Sequence, residues 1–306
     1  MTASIASPGH YDIPHADYHA DPCVEPSLSS SLARILVAQT PRAAWLAHPR
    51  LSPDFAPDSD PKFDLGDAVH DCLSSGGKRM HMVTGFADWK KKEAQEQRAI
   101  ARSRGWVPLL EHQFAQVLRI VERTHERLDD AKIDLGLQER TIVARDGAAW
   151  LRAMVDSFTP RWISDFKITK INLANDRALA RHMVDTGYDL RAAFYLRVAE
   201  LALPELAGRL GFRWIFVEEE PPHGVRIIEA DGAWRELGWR KASHAIGLWT
   251  RCMAENRWPH LEGLPRTLDY PAFHENDWLE RETREGFVQG PMAILKAQNY
   301  ESLIDD

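Results

Sequence analysis

The chain has 306 residues, 44% of them hydrophobic, and a formal net charge of −7. It is long enough to bury a core as one large domain or two small ones. It holds no apolar run of bilayer length and opens on no signal-type apolar region, so no membrane segment is expected. Three scattered cysteines (Cys23, Cys72, Cys252) form no CxxC pair, which excludes a four-cysteine metal or iron–sulfur site and points to a reducing cytoplasm.

Residues 1–27 are rich in Pro, His, Asp and Ser without a sustained period and read as an irregular arm, with His10, His15 and His19 as solvated loop histidines. Ser29, Ser30 and Ser31 offer N-cap hydroxyls for a short helix that ends before Pro41. Pro49, Pro53, Pro57 and Pro61 punctuate a loop. Leu65, Val69 and Leu73 then recur at four-residue spacing, which predicts a helix over 63–73 with His70 beside its apolar stripe. The charged stretch from Trp89 to Arg104 predicts a solvated helix whose basic side could lie along a phosphate backbone. Pro108 is expected to open a long helix reaching about Leu128, and the first strand of a sheet follows around Leu137–Ala144.

The most informative stretch is 150–169. Two β-like segments, Trp150–Asp156 and Trp162–Thr169, flank a turn at 157–161. Side chains alternate along a strand, so Asp165 and Lys167 share one face and Phe166 takes the other. Pairing as a hairpin would bring Asp156 close to Asp165. Two such carboxylates repel unless a cation lies between them, and hard oxygen ligands suit Mg²⁺ or Mn²⁺. Read alone, the D-x8-D-x-K spacing serves equally well for two solvated carboxylates on an edge hairpin. Glu139, on the preceding strand, could reach the same site, with Arg140 or Arg145 as nearby cations.

Helices are predicted from Asn172 to His182 and from Tyr188 to Leu203, the second placing Tyr188, Arg191 and Tyr195 on one face. An apolar strand over 211–217 pairs with 225–228, Glu218–Glu220 reads as a solvated strand end, and a closing helix runs from Trp234 to Asn256. A charged helix near 277–285 lies in a loop-rich tail. The order is helices, then a long helix, three strands, helix, strand, an α/β arrangement.

This ordered set resembles the PD-(D/E)xK nucleases, and more narrowly the RecE-type exodeoxyribonucleases of phages and prophages. Tyr18-His19-Ala20-Asp21 with Leu28–Ser31, Gly66–His70, Asp156 with Asp165–Thr169, and Tyr188–Tyr195 each resemble a family motif in the family's order, across residues 17–258. The resemblance implies a restriction-endonuclease-like core over 28–258, with a mixed central sheet flanked by helices, between an arm (1–27) and a tail (259–306). It implies that His70, Asp156, Asp165 and the Phe166 carbonyl bind Mg²⁺ or Mn²⁺, that Lys167 activates water, and that Tyr195 orients Lys167 or the phosphate, with Glu139 as an acidic helper. Arg191 stands where the family has glutamine; a guanidinium only donates and is always charged, whereas an amide also accepts. The implied activity is 5′-to-3′ digestion of double-stranded DNA ends in phage-type recombination. The implied partners are a single-strand annealing protein and, as in ring-forming relatives, further copies of the chain. Two alternatives are a same-fold nuclease with endonuclease or repair activity and a non-catalytic DNA-binding or interaction protein.

Overall fold

The apolar alternation seen in the sequence resolves into strands that carry two large cores, and a small third cluster joins Val143 and Trp150 to Ile5 and Cys23. The structure is a computed structural model that describes residues 4–56, 64–261 and 269–285. Nine strands occur among the described residues: β1 (Gly9–Tyr11), β2 (Ser27–Ser29), β3 (Met80–Val83), β4 (Val107–Leu110), β5 (Leu137–Asp146), β6 (Ala149–Phe158), β7 (Trp162–Thr169), β8 (Gly211–Glu218) and β9 (Val225–Glu229). The helices are α1 (His15–His19), α2 (Ser30–Ala38), α3 (Pro41–Leu46), α4 (Asp64–Ser75), α5 (Lys92–Ser103), α6 (Glu111–Asp130), α7 (Asp176–Asp185), α8 (Tyr188–Ala202), α9 (Gly232–Glu255) and α10 (Ala272–Glu285). Residues 1–261 make one unit and 262–306 another. In the second unit α10 bears its own i,i+4 bonds, Trp278 to Glu282 and Arg281 to Glu285.

The main sheet runs β1-β5-β6-β7-β8-β9, with β2 also on β6. In β8 the pleat sends Phe212, Trp214 and Phe216 into a core with α2, α8 and α9, and Ile215 and Val217 into a second core with α4 and α6. Helices on both faces of a mixed sheet are the arrangement that the family resemblance implies.

The far edge of β6 is shared. β2 pairs with it in parallel at 150–152, whereas β7 pairs antiparallel only through Ser157↔Ser164 and Phe158↔Ile163. β7 then runs parallel to β8 over its whole length, from Trp162↔Gly211 to Thr169↔Glu218. β6 and β7 therefore part like a V, leaving 153–156 of β6 without a ladder partner on that edge. Thr159 Oγ1 accepts the Arg161 and Trp162 N–H groups at the closed end. Gly136 holds φ +59° under the same turn, where an added Cβ would lie 2.4 Å from the Phe158 carbonyl oxygen, so a side chain there is excluded.

Several expectations need correction. Pro108 does not open the long helix. It lies in β4, which pairs with β3 in parallel, and the helix starts at Glu111. Proline's fixed φ suits an extended segment, and its missing N–H costs little at the margin of a two-stranded sheet. Nor is the lead-in irregular: β1 pairs with β5, and Tyr18 on α1 is buried. The binding energy of this lead-in is tertiary, so its local sequence shows no period. Asp21 is the anchor, accepting from the N–H and hydroxyl of Ser27 and pairing with His48 and Arg152. The loop prolines Pro57 and Pro61, and Phe63 at the expected start of α4, lie outside the described residues. No described helix is long and apolar enough to cross a membrane.

α8 and α9 cross closely at Gly238, where a Cβ would stand 2.1 Å from the Asp189 carbonyl oxygen and 3.1 Å from Ala193 Cβ. The Asp189–Lys241 ion pair ties the two helices together beside this crossing. Gly238→Ala is expected to cost about 1–3 kcal/mol through overpacking, despite the better helix propensity of alanine. Chemical denaturation measures this, and an unchanged or raised stability would contradict the close crossing.

Candidate active site

Where β6 and β7 separate, a carboxylate takes the place of the missing strand partner. Asp156 Oδ2 accepts the Phe166 N–H at 2.7 Å. The antiparallel register stops at Ser157↔Ser164, so Asp156 meets β7 through the Phe166 N–H, next in sequence to Asp165. Phe166 points into the α4/α6 core, so its neighbours Asp165 and Lys167 face the other way, toward α8. Asp165 is 1% exposed. It forms an ion pair with Lys167 and lies 3.6 Å from Arg191 Nη1. Lys167 Nζ also donates to the Phe166 carbonyl at 2.9 Å.

α4 approaches the open side of the V. His70 Nε2 lies 3.1 Å from Asp156 Oδ2, and its Nδ1 lies 3.3 Å from the Ser74 hydroxyl one turn on. Ser74 Oγ donates to the His70 carbonyl at 2.7 Å and stands 3.3 Å from Glu139 Oε1. Glu139 holds a left-handed backbone (φ +46°) within β5. The ladder passes from Gln138↔Ser157 to Arg140↔Val155 without it. A non-glycine residue there stores of order 1 kcal/mol of strain, offset by contacts to α4: Glu139 to Ser74, and Gln138 Nε2 to the Leu73 carbonyl.

From α8, Arg191 reaches Asp165, and the Tyr188 ring has Lys167 Nζ 5.5 Å and the Arg191 guanidinium 6.0 Å from its centroid. Tyr195, one turn further, is buried and packs edge-on against Phe212. The structure thus gathers His70, Asp156, Asp165, Phe166, Lys167 and Arg191 in one place, with Glu139 joined through Ser74 and Tyr195 set behind Arg191. Sequence reading gave no role to Ser74 or Tyr188. Their signals were spacing alone, Ser74 four residues after His70 and Tyr188 three before Arg191.

The charges are arranged against strong desolvation. Burial opposes ionisation of Asp156, but His70, Lys167 and the Phe166 N–H overcome it and bring its pKa down to about 2. Burial likewise disfavours the His70 cation, yet Asp156 raises its pKa above 6.5. Lys167 moves the other way: burial, helped by Arg191, lowers its pKa despite Asp165. Burial raises the Tyr195 phenol, keeping it protonated.

As placed, no three His, Cys, Asp or Glu side chains among the described residues stand close enough to share one metal ion. Asp156 turns to His70, and Asp165 turns to Lys167 and Arg191. The donors themselves fit a hard divalent cation. Two carboxylates, an imidazole and the Phe166 carbonyl are hard or borderline donors carried on neighbouring β6, β7 and α4, with Asp165 Oδ2 buried against Lys167.

A mixed sheet that splits over two acids and a lysine, with helices on both faces, is the PD-(D/E)xK nuclease fold. The family model described as a PDDEXK-like domain of unknown function (DUF3799) matches residues 43–264, and the chain belongs to that family. The fold is also similar to the crystal structure of a protein named "Putative exonuclease" from Eubacterium rectale. The TM-score is 0.58 at 13% identity, covering 85% of this chain and 96% of that one. No curated protein sequence matches.

The His70–Asp156 pair gives a pH test. Its stabilisation is fully present between about pH 3.8 and 6.5. It fades as pH falls through about 2, and again as pH rises through the elevated His70 value. In Asp156→Asn the attraction is gone and burial remains, so the His70 pKa should fall below its wild-type value in an NMR titration. A His70 resonance that titrates identically in both proteins would contradict the pairing.

Proposed function

We propose that the chain is a divalent-metal-dependent deoxyribonuclease, and specifically a RecE-type exonuclease that digests duplex DNA 5′-to-3′ from its ends. The V between β6 and β7 carries this reading, because it links Asp156 to His70 on one side and to the β7 segment holding Asp165 and Lys167 on the other. His70, Asp156, Asp165 and the Phe166 carbonyl would hold Mg²⁺ or Mn²⁺, which supplies charge to polarise a phosphate and lower the pKa of water. Glu139 and Ser74 orient His70 from behind, the support that a metal-ligating imidazole needs on its other nitrogen.

The remaining residues act on water and phosphate. Burial eases proton loss from Lys167, so the amine can orient an attacking water and exchange a proton with it more readily than an exposed lysine would. Arg191 stays charged at all working pH values and can bear on a phosphate oxygen. Tyr188 keeps both cations in position through its ring face. Tyr195 remains a neutral donor behind them. Water attacks phosphorus in line, and the bond to the 3′ oxygen breaks. The single strand that results suits an annealing protein, and further copies of the chain could encircle the duplex. The cytoplasm is the expected setting.

The Arg191–Asp165 contact favours a second reading. A carboxylate compensated by both Lys167 and Arg191 has less charge to offer a metal, which suits a chain that keeps the fold for binding DNA. Linear duplexes labelled at the 5′ or 3′ end, with Mg²⁺, Mn²⁺ or EDTA, separate the two. Metal-dependent release of the 5′ label, reduced by about 10²–10³-fold or more in Asp165→Ala and Lys167→Ala, is expected. Cutting of closed circles would replace the exonuclease reading with an endonuclease. DNA binding without cleavage, with activity gained in Arg191→Gln, would establish the second.

A further inference from the structure

A stretch outside the active centre has a charge balance of its own. Residues 78–104 hold eight lysines and arginines against three acidic residues, a net +5 in a chain whose total is −7. The fold gathers them into one module. β3 and β4 pair in parallel, and α5 connects them, seated by buried Ala94 and Ala101. The preceding lysines stand in solvent: the side chains of Lys90 and Lys92 are 90% and 85% exposed. Their nearest acids, Asp88 at 3.5 Å and Glu96 at 3.8 Å, make surface pairs of the kind that contribute little.

Aromatic rings are interleaved with this charge. The Arg98 guanidinium lies 4.7 Å from the Trp89 ring centre and that of Arg104 5.1 Å from Trp106. Trp106 in turn stacks on His81, with centroids 4.8 Å apart and planes 22° from parallel. The exposed Arg104 guanidinium, laid on its ring, loses little entropy when its edge donors meet a phosphate. The module is also fastened to the helix that carries His70. The Arg79 main-chain N–H and Nε each donate to the Asp71 carboxylate at 2.8 Å, one residue from His70.

We propose that residues 78–104 form a grip for the phosphate backbone of duplex DNA, holding the substrate beside the β6–β7 centre. This rests on the nuclease reading. Duplex DNA fits better than an acidic protein, because a polyanion that must also enter the active centre gives a reason for anchoring the charge on α4. The grip supplies affinity for long DNA and takes no part in bond cleavage. In the acidic remainder of the molecule it gives the substrate one place to land.

The test uses the full chain carrying Lys90→Ala, Lys91→Ala, Lys92→Ala and Arg104→Ala. Fluorescence anisotropy with a labelled duplex of about 30 base pairs in EDTA, across about 50–200 mM KCl, reads the electrostatic component of binding. The expected result is at least tenfold weaker binding and a slope of log K against log salt shallower by about 0.9 for each phosphate that the variant no longer neutralises. Circular dichroism melting should be unchanged, and lysine-to-arginine changes at the same three positions should retain binding. Hydrolysis of the p-nitrophenyl ester of thymidine 5′-monophosphate, too short to reach the module, should match wild type. Equal affinity and slope in the alanine variant, with wild type still cleaving DNA, would overturn the grip, leave the nuclease reading standing and assign the charge to another anionic partner. A wild-type protein that neither binds nor cuts DNA would remove both.

Discussion

The bond from the Phe166 N–H to the Asp156 carboxylate is the contact on which the rest of the centre depends. Two antiparallel strands that part after two residue pairs leave main-chain groups without partners inside the protein, and each such group costs about 1–3 kcal/mol if unmet. Asp156 meets one of them with a charged acceptor. It thereby stabilises the split in the sheet and places a carboxylate beside the peptide between Asp165 and Phe166. Fold and site are one arrangement here, since a continuous ladder between β6 and β7 would pair the Phe166 N–H with main chain instead of with Asp156.

Two buried acids must be compensated, and the protein does so from three directions. α4 brings His70 to Asp156, β7 brings Lys167 to Asp165, and α8 adds Arg191. The outcome is not symmetrical. His70 and Asp156 each favour the other's charged form, whereas Lys167 is pushed toward its neutral amine by burial and by Arg191. An amine that releases its proton more readily, next to a centre rich in negative charge, is the combination that water activation requires. Arg191 is the unusual member. It supplies a permanent charge where glutamine would supply a neutral amide, and it faces the same carboxylate as Lys167.

Much of this centre was legible in the sequence because it depends on local alternation. Asp165, Phe166 and Lys167 take their faces from the pleat alone, and β5 to β8 announced themselves by apolar period and turns. The split could not be read. It arises because β7 finds a better partner in β8, and no pattern within 150–169 specifies that competition. The strand at Pro108 was hidden by a residue that serves helix starts and strand margins alike, and the order in residues 4–27 was hidden because Asp21, His48 and Arg152 meet only in three dimensions. Glu139 was suspected from its place in β5, but its left-handed backbone, the device that turns it toward Ser74, leaves no sequence mark on a glutamate.

Calorimetric titration of the protein with Mn²⁺ tests the central claim most directly, because it asks whether the V gathers a metal centre before any substrate is involved. The account predicts saturable binding to wild type, weakened at least about tenfold by Asp156→Asn and by Asp165→Asn alike, since each removes a charged oxygen ligand from one shared site. Binding that is absent in wild type, or indifferent to either carboxylate, would contradict it.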